Sequence, residues 1–173
     1  MIADKIELDG REFSVEIEYD QDAGYPWEDD CIFDGVVSDW ERRDKRPSEK
    51  ILNEDRESKR FFDVKQYIKV AKSHGCTAKQ ATEQCETSFE YLRRYCSDQW
   101  NYVFVTVTLL DEDGEKTDFQ QCLGGIESDN DGYLNATSME LARDCLCHFN
   151  ETAYREAQVF NTVSAALFPQ VTA

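Results

Sequence analysis

The chain has 173 residues, with 36 aspartates and glutamates against 19 lysines and arginines, which gives a formal net charge of −17 at pH 7. Hydrophobic residues make up 40% of the chain and aromatic residues 12%, which excludes a disordered acidic tail and predicts a folded protein with a charged surface. This excess of acid disfavours direct binding to nucleic acid or to an anionic membrane, because both would repel the protein.

The first twenty residues predict a β-hairpin. Asp9 and Gly10 separate two runs of alternating polarity, and this dipeptide is the strongest short hairpin signal in a sequence. In the second run, over 13–19, apolar residues occupy one face and polar or acidic residues the other. Residues 20–60 are predicted to form a loop segment in two parts. Residues 20–40 predict a loop that its aromatic residues keep ordered, with a short strand as an alternative near Ile32, and residues 41–60 are dense in both charges and predict a surface segment.

Two helices are predicted after residue 60. Apolar residues recur at helical spacing over 61–71, and Gly75 is placed to end that helix. A second apolar stripe over 78–96 follows Thr77, which is a suitable N-cap residue. The interval 61–173 is therefore expected to hold a pair of helices, a second hairpin and a C-terminal helix.

The second hairpin begins with residues 100–110, which are apolar on both faces and so predict a central, covered strand. Its partner strand is predicted to end at Gly124 and Gly125. Thr137 and Glu140 form a capping-box pattern for the last helix. This order of elements predicts an α+β fold, in which a small antiparallel sheet from two β-hairpins carries two to four helices on one face.

No apolar run approaches the roughly 20 residues that span a bilayer, and residues 1–5 lack the apolar core of a signal peptide. We therefore expect a soluble, cytosolic protein. Its length allows one domain with a real core, and a single acidic domain over 1–173 is predicted.

Seven cysteines invite a disulfide or zinc hypothesis. Their number is odd and no pair has C-x-x-C spacing, so reduced core thiols are the favoured interpretation. The alternative is a metal site at Cys145, Cys147 and His148. On a helix Cys145 and Cys147 would point about 200° apart, which opposes binding of one ion by both.

The sequence predicts neither an enzyme nor a cofactor. Neither His74 nor His148 has a local serine or aspartate arrangement that would indicate a nucleophile and its base. The pair Gly124-Gly125 lacks the context of a phosphate-binding loop. A paired-carboxylate enzyme has no diagnostic signal among 36 acids.

The negative charge is concentrated in two blocks. Residues 1–30 carry 11 acids and 2 bases, and residues 111–173 carry 12 acids and 3 bases, whereas residues 31–72 carry 9 acids and 11 bases. Acids at alternate strand positions lie about 7 Å apart, close to phosphate spacing, so they can imitate a nucleic-acid strand. The simpler interpretation is a solvated, solubilising surface. The candidate partner-binding residues are Glu16, Glu18, Asp20, Asp22, Glu28, Asp29, Asp30, Asp111, Glu112, Asp113, Glu115 and Asp118.

The basic-leaning segment 42–60 gives an alternative function. Its arginines and lysines lie beside Trp40, Phe61 and Phe62, a pattern that suits a nucleic-acid-binding accessory protein with aromatic stacking. Acids interleave with these bases, however, and pairing within one surface would use up their charge.

Several short motifs are spread over roughly residues 25–145. They are Pro26-Trp27, Val37-Ser38-Asp39-Trp40-Glu41-Arg42, Lys45-Arg46-Pro47, Leu52-Asn53-Glu54-Asp55-Arg56, Arg60-Phe61-Phe62-Asp63, Cys96-Ser97-Asp98-Gln99-Trp100 and Gly125-Ile126-Glu127-Ser128-Asp129. With these motifs the chain resembles a group of small hypothetical proteins of bacteriophages and prophages. The resemblance implies origin in a mobile element and residence in the bacterial host cytoplasm, with no activity attached. The leading hypothesis is a non-catalytic inhibitor of a basic, nucleic-acid-binding host defence protein, either a CRISPR-type effector or a restriction enzyme.

Overall fold

The computed structural model describes residues 4–28, 30–53 and 57–167, with side chains described up to residue 160. The chain divides into two compact units, one comprising Met1–Asp20 with Tyr102–Ala173 and the other Gln21–Asn101. The single domain over 1–173 stays a prediction. In chain order the described elements are β1 (Lys5–Leu8), β2 (Arg11–Tyr19), β3 (Glu49–Ile51), β4 (Phe61–Asp63), α1 (Val64–Ser73), α2 (Ala78–Cys96), β5 (Tyr102–Leu110), β6 (Lys116–Glu127) and α3 (Asp131–Leu167).

The first unit is a four-stranded antiparallel sheet with the strand order β1-β2-β5-β6. Both predicted hairpins are present, and β2 pairs with β5 from Phe13 opposite Leu109 to Tyr19 opposite Val103. Strand β5 is therefore central, as its apolar sequence predicts. The α+β class with a sheet from two hairpins is confirmed.

Helix α3 covers one face of this sheet. The buried side chains on that face of the sheet are those of Phe13, Val15, Val103, Val105, Val107, Leu109 and Ile126. They pack against Leu134, Ala142, Cys145 and Leu146 of α3. Since strand residues alternate between faces, the residues between them, such as Glu16 and Glu18, lie on the opposite face, which we call the outer face.

The second unit packs α1 and α2 with the small antiparallel sheet β3-β4. Asp63 caps α1 by accepting from the N–H groups of Lys65 and Gln66, so Phe61 belongs to β4 and not to the predicted helix. Thr77 caps α2 in a capping box with Gln80, as predicted. The segment near Ile32 is a short 3₁₀-helix, Cys31–Phe33, where a strand had been considered.

Two predictions in the first unit were wrong. Strand β6 does not end at Gly124 and Gly125 but continues through a bulge to Glu127. Helix α3 begins at Asp131, so Thr137 lies inside it, buried, and not at its N-terminus. Here Asn130 supplies the cap, because its side chain accepts from the N–H of Tyr133. In the described part of the chain, no helix is long and apolar enough to cross a membrane.

Candidate acidic interface

The outer face of the sheet in the first unit carries exposed acids. Glu16 and Glu18 alternate along β2 opposite Thr106 and Phe104 of the central strand. Glu7 of β1 and Glu12 of β2 lie directly opposite each other, and like charges in that relation oppose strand pairing. Because the neighbouring Phe119 packs into the core, the exposed Asp118 of β6 also points to the outer face.

Two lysines partly neutralise this surface. Lys5 Nζ lies 3.6 Å from Glu12 Oε2, and Lys116 Nζ lies 2.5 Å from Glu16 Oε1. Both pairs are exposed, so each contributes little to stability but lowers the local charge. The outer face keeps an excess of carboxylates, because Glu7, Glu18 and Asp118 have no ion pair among the described residues.

The turn between β5 and β6 adds further acids at one end of the sheet. Asp111 Oδ1 accepts from the N–H groups of Asp113 and Glu115 at 3.0 and 2.9 Å, which fixes the turn. Glu112, Asp113 and Glu115 are exposed around it. Since β2 begins where β5 ends, this turn lies beside the Asp9-Gly10 turn, and the two border a shallow recess. Acids from both charge blocks therefore meet at this end of the first unit.

Asp20 has a structural role that its sequence position does not reveal. Its side chain is only 5% exposed, and Oδ2 accepts from the N–H of Gly125 at 2.8 Å. A Cβ atom on the neighbouring Gly124 would lie 2.4 Å from the ring of Phe104 and 2.7 Å from Asp20 Oδ2. Asp20 thus fixes the β6 bulge and is not available as a contact residue on the surface.

The remaining candidates of the first block belong to the second unit. Asp22, Glu28 and Asp30 are all exposed there. Glu28 Oε2 accepts from the N–H of Tyr25 at 2.9 Å, and Asp30 caps the 3₁₀-helix by accepting from the N–H of Ile32 at 3.0 Å. Both carboxylates therefore shape a local turn while keeping their charge toward solvent. Asp29 lies outside the described residues.

The basic segment 42–60 is largely occupied with internal ion pairs. Arg43 donates to Glu49 at 2.6 and 2.9 Å and to Glu41 at 2.5 Å. These bonds hold the pKa values of Glu49 and Glu41 below their ordinary range and raise that of Arg43. Lys50 bonds Glu86 at 2.5 Å. This pairing weakens the alternative interpretation as a nucleic-acid-binding surface, because Arg42, Arg43, Arg46 and Lys50 each lie in an ion pair with a glutamate.

The structure also shows an arginine surrounded by aromatic rings. This arrangement is not predicted from the sequence. The guanidinium carbon of Arg60 lies 4.5 Å from the ring centroid of Tyr25, 4.7 Å from Trp27 and 4.9 Å from Trp40. Arg60 is 5% exposed. The sequence predicts that the aromatic residues order the loop, but no sequence signal distinguishes Arg60 from the other bases of its segment.

The cysteine predictions divide between core and surface. Cys85 and Cys145 are buried free thiols, and burial raises the pKa of each. Cys145 Sγ donates to the carbonyl of Phe119, whereas Cys147 and His148 are exposed on α3. Within the described ranges, no three metal-ligating side chains form a cluster.

Comparisons with known proteins found no matching family model, no matching curated protein and no matching solved structure.

Proposed function

We propose that the protein is a non-catalytic, phage-type inhibitor that occupies the basic nucleic-acid groove of a host defence protein, with a CRISPR-type effector or a restriction enzyme as the class of partner. It would act in the host cytoplasm. The observation that supports this most is the exposed acidic outer face, continued by the acidic β5-β6 turn of the same sheet.

The spacing of the acids suits such a groove. Alternate residues along β2 lie about 7 Å apart, so Glu16 and Glu18 repeat at a distance comparable to successive phosphates. A rigid sheet holds the carboxylates in place without paying a large ordering entropy on binding. The placement of Glu7 opposite Glu12 also supports a binding role. Like charges in this position oppose strand pairing, so they do not stabilise the fold.

The proposed contact surface includes fewer acids than the two charge blocks contain. We assign it to Glu16, Glu18, Glu112, Asp113, Glu115 and Asp118, which are exposed in the first unit. Buried Asp20 supports this surface from within by accepting the N–H of Gly125. Asp111 is exposed and holds the β5-β6 turn by accepting two backbone N–H groups. The exposed acids of the second unit, Asp22, Glu28 and Asp30, form a separate candidate set.

The test is displacement of a labelled DNA duplex from a panel of purified restriction enzymes and CRISPR effector complexes. The wild-type protein should displace DNA from at least one of them, and increasingly poorly as salt rises, because exposed charges are screened over about 8 to 10 Å. A fourfold variant, Glu18→Gln with Glu112→Gln, Asp113→Asn and Asp118→Asn, should lose at least tenfold in potency.

A matched control removes four acids from α3: Glu140→Gln, Asp144→Asn, Glu151→Gln and Glu156→Gln. All four residues are exposed, and the net charge changes equally. This control should retain potency within about threefold. An equal loss of potency in both variants would show that the effect depends only on net charge. If the wild type displaced DNA from no member of the panel, the proposal would be overturned.

A further inference from the structure

Strand β6 forms an edge of the four-stranded sheet and differs from the opposite edge. The opposite edge, β1, has four residues and carries Lys5 and Glu7, and such short, charged edges resist pairing with other chains. Strand β6 has twelve residues, and its stretch from Phe119 to Ile126 contains no charged residue and no proline. In a chain with 32% charged residues, this stretch has neither charge nor proline to protect it. Irregularities in the pairing with β5 lie on either side of residues 120–123, so these four residues form the regular part of the edge.

The direction of the backbone groups along β6 follows from one hydrogen bond. Asp20 N–H donates to the carbonyl of Tyr102, so Tyr102 and every second residue of β5 direct their backbone groups to β2. Val105 and Val107 then bond to their partners on β6, Leu123 and Gln121. The residues between them, Gln120 and Cys122, therefore direct their N–H and C=O groups away from the sheet.

The residues along this edge are also accessible to a partner. Gln120 and Cys122 are exposed, and the apolar side chain of Leu123 is 45% exposed beside the face that α3 covers. Among the described residues no strand or isolated bridge pairs with this edge. The edge thus presents unpaired backbone groups next to an apolar side chain, the arrangement that β-strand addition uses.

We propose that β6 is a self-association surface on which the same strand of a second copy pairs antiparallel, joining two sheets into one of eight strands. The geometry favours a two-fold axis at Gln121. Gln120 then lies opposite Cys122 of the second copy, and the two copies exchange four hydrogen bonds through these outward groups. The same register sets Leu123 opposite Phe119 of the second copy, which covers its exposed apolar surface.

The charges along the edge do not oppose the proposed register. In the proposed register Asp118 lies opposite Gly124 of the second copy, so no carboxylates oppose each other. Each copy carries a net charge of −17, so the dimer should tighten as salt screens the mutual repulsion. This salt response is opposite to that of the proposed acidic interface, and the two proposals can therefore fail separately.

The first test is the molar mass of the full chain by sedimentation equilibrium from about 1 to 100 μM, at 150 and 500 mM salt. The wild type should form dimers, and more strongly at high salt. Gln120→Lys with Cys122→Lys places four ammonium groups around the axis and should remain monomeric. The matched control, Gln120→Thr with Cys122→Thr, suits a strand and should dimerise. Cooperative thermal unfolding of each variant would show that both fold.

The second test fixes the register by cross-linking. At a two-fold axis on Gln121 the two copies of that residue form a non-hydrogen-bonded pair with Cα atoms about 4.5 Å apart, within the range for a disulfide. In a background with Cys31→Ser, Cys122→Ser and Cys147→Ser, Gln121→Cys should give a covalent dimer on mild oxidation. Lys116→Cys in that background should not, because its two copies would lie far apart.

Three results would overturn the proposal: a monomeric wild type at 100 μM in both salts, dimers that survive the double lysine change, or equal cross-linking from positions 116 and 121. The distal part of α3 provides a competing surface, since Tyr154, Val159 and Phe160 are exposed there. Dissociation by Phe160→Ser, with no effect of the lysines, would move the interface to that helix.

Discussion

Lys116 at the start of β6 reaches across the central strand β5 to bond Glu16 of β2, with 2.5 Å between Nζ and Oε1. The two residues are separated by 100 positions in sequence, and their side chains are about half exposed. The bond ties the two hairpins together over the outer face. It also neutralises one of the carboxylates in the middle of the proposed acidic surface.

Removal of this lysine should separate stability from binding. Lys116→Gln is expected to cost at most about 1 kcal/mol of unfolding free energy, because the ion pair is exposed. The freed Glu16 carboxylate should make displacement of DNA from the partner enzyme more potent. Urea unfolding and the DNA-displacement assay measure the two effects. Lys5→Gln, which frees Glu12, is the matched control for the change in net charge, and equal gains from both would remove any special role of Glu16.

The buried Glu49 should make the second unit sensitive to acid. Its side chain is 5% exposed and accepts from Arg43 and from the N–H of Arg46. These bonds lower the folded pKa of Glu49, so its stabilisation is complete above the unfolded value of about 4.3 and disappears as pH falls through the folded pKa.

Glu49→Gln is accordingly expected to cost about 1.5 to 3 kcal/mol at pH 7, the range for hydrogen bonds to a charged group. The difference from wild type should shrink as the pH falls below about 4. Chemical denaturation at pH 7, 5 and 3 provides the measurement. Glu41→Gln is the control, and its effect should be smaller because the Glu41 side chain is 37% exposed. A cost for Glu49→Gln that does not change with pH would contradict the assignment.

The strands and helices with strong periodicity were predictable, and the reason is visible in the core. Phe13, Val15 and the apolar residues of β5 face α3 at the two-residue repeat read from the sequence. The segment 41–60 is predicted to lie on the surface, and several of its residues are exposed, but it also contains β3 and the buried polar side chains of Glu49 and Asn53. Their burial is not evident from the sequence, because both residue types are hydrophilic. Their partners, Arg43 and the N–H of Arg60, depend on tertiary structure.

The candidate interface likewise contains residues that the sequence predicts correctly and one that it does not. Alternation along β2 correctly placed Glu16 and Glu18 on one exposed face. It also placed Asp20 there, but that carboxylate turns inward to Gly125 because the β6 bulge leaves an N–H to satisfy. A polarity pattern does not show where a bulge leaves a backbone N–H without a partner on the next strand. The supporting role of Asp20 is therefore not predictable from the sequence.

Arg60 should stabilise the aromatic loop of the second unit. Arg60→Met keeps most of the aliphatic stem but removes the cation from the rings of Tyr25, Trp27 and Trp40, and we expect a loss of about 2 kcal/mol. Arg60→Lys should fall between wild type and Arg60→Met, because an ammonium group does not stack as a planar guanidinium does. Thermal unfolding followed by tryptophan emission reports on two of the three rings directly. Arg93→Met, at an exposed ion pair with Glu90, is the control and should have little effect.

Gly124 should tolerate no side chain while Phe104 stays in place. A Cβ atom at this position would lie 2.4 Å from Phe104 Cε1 and 2.9 Å from Cδ1, so Gly124→Ala forces the ring or the bulge to move. We expect a loss of about 1 to 3 kcal/mol, typical of overpacking.

Replacing the ring by a smaller side chain makes room, so Phe104→Leu should lessen the effect of Gly124→Ala in a double-mutant cycle. Backbone strain does not contribute at this position, because Gly124 is not among the glycines with positive φ. Gly114→Ala, at a glycine with positive φ and open space around it, shows for comparison the cost of strain without a clash. If Phe104→Leu leaves the cost of Gly124→Ala unchanged, the ring is not the obstacle, and the contact with Asp20 Oδ2 at 2.7 Å becomes the cause to test by Asp20→Ala.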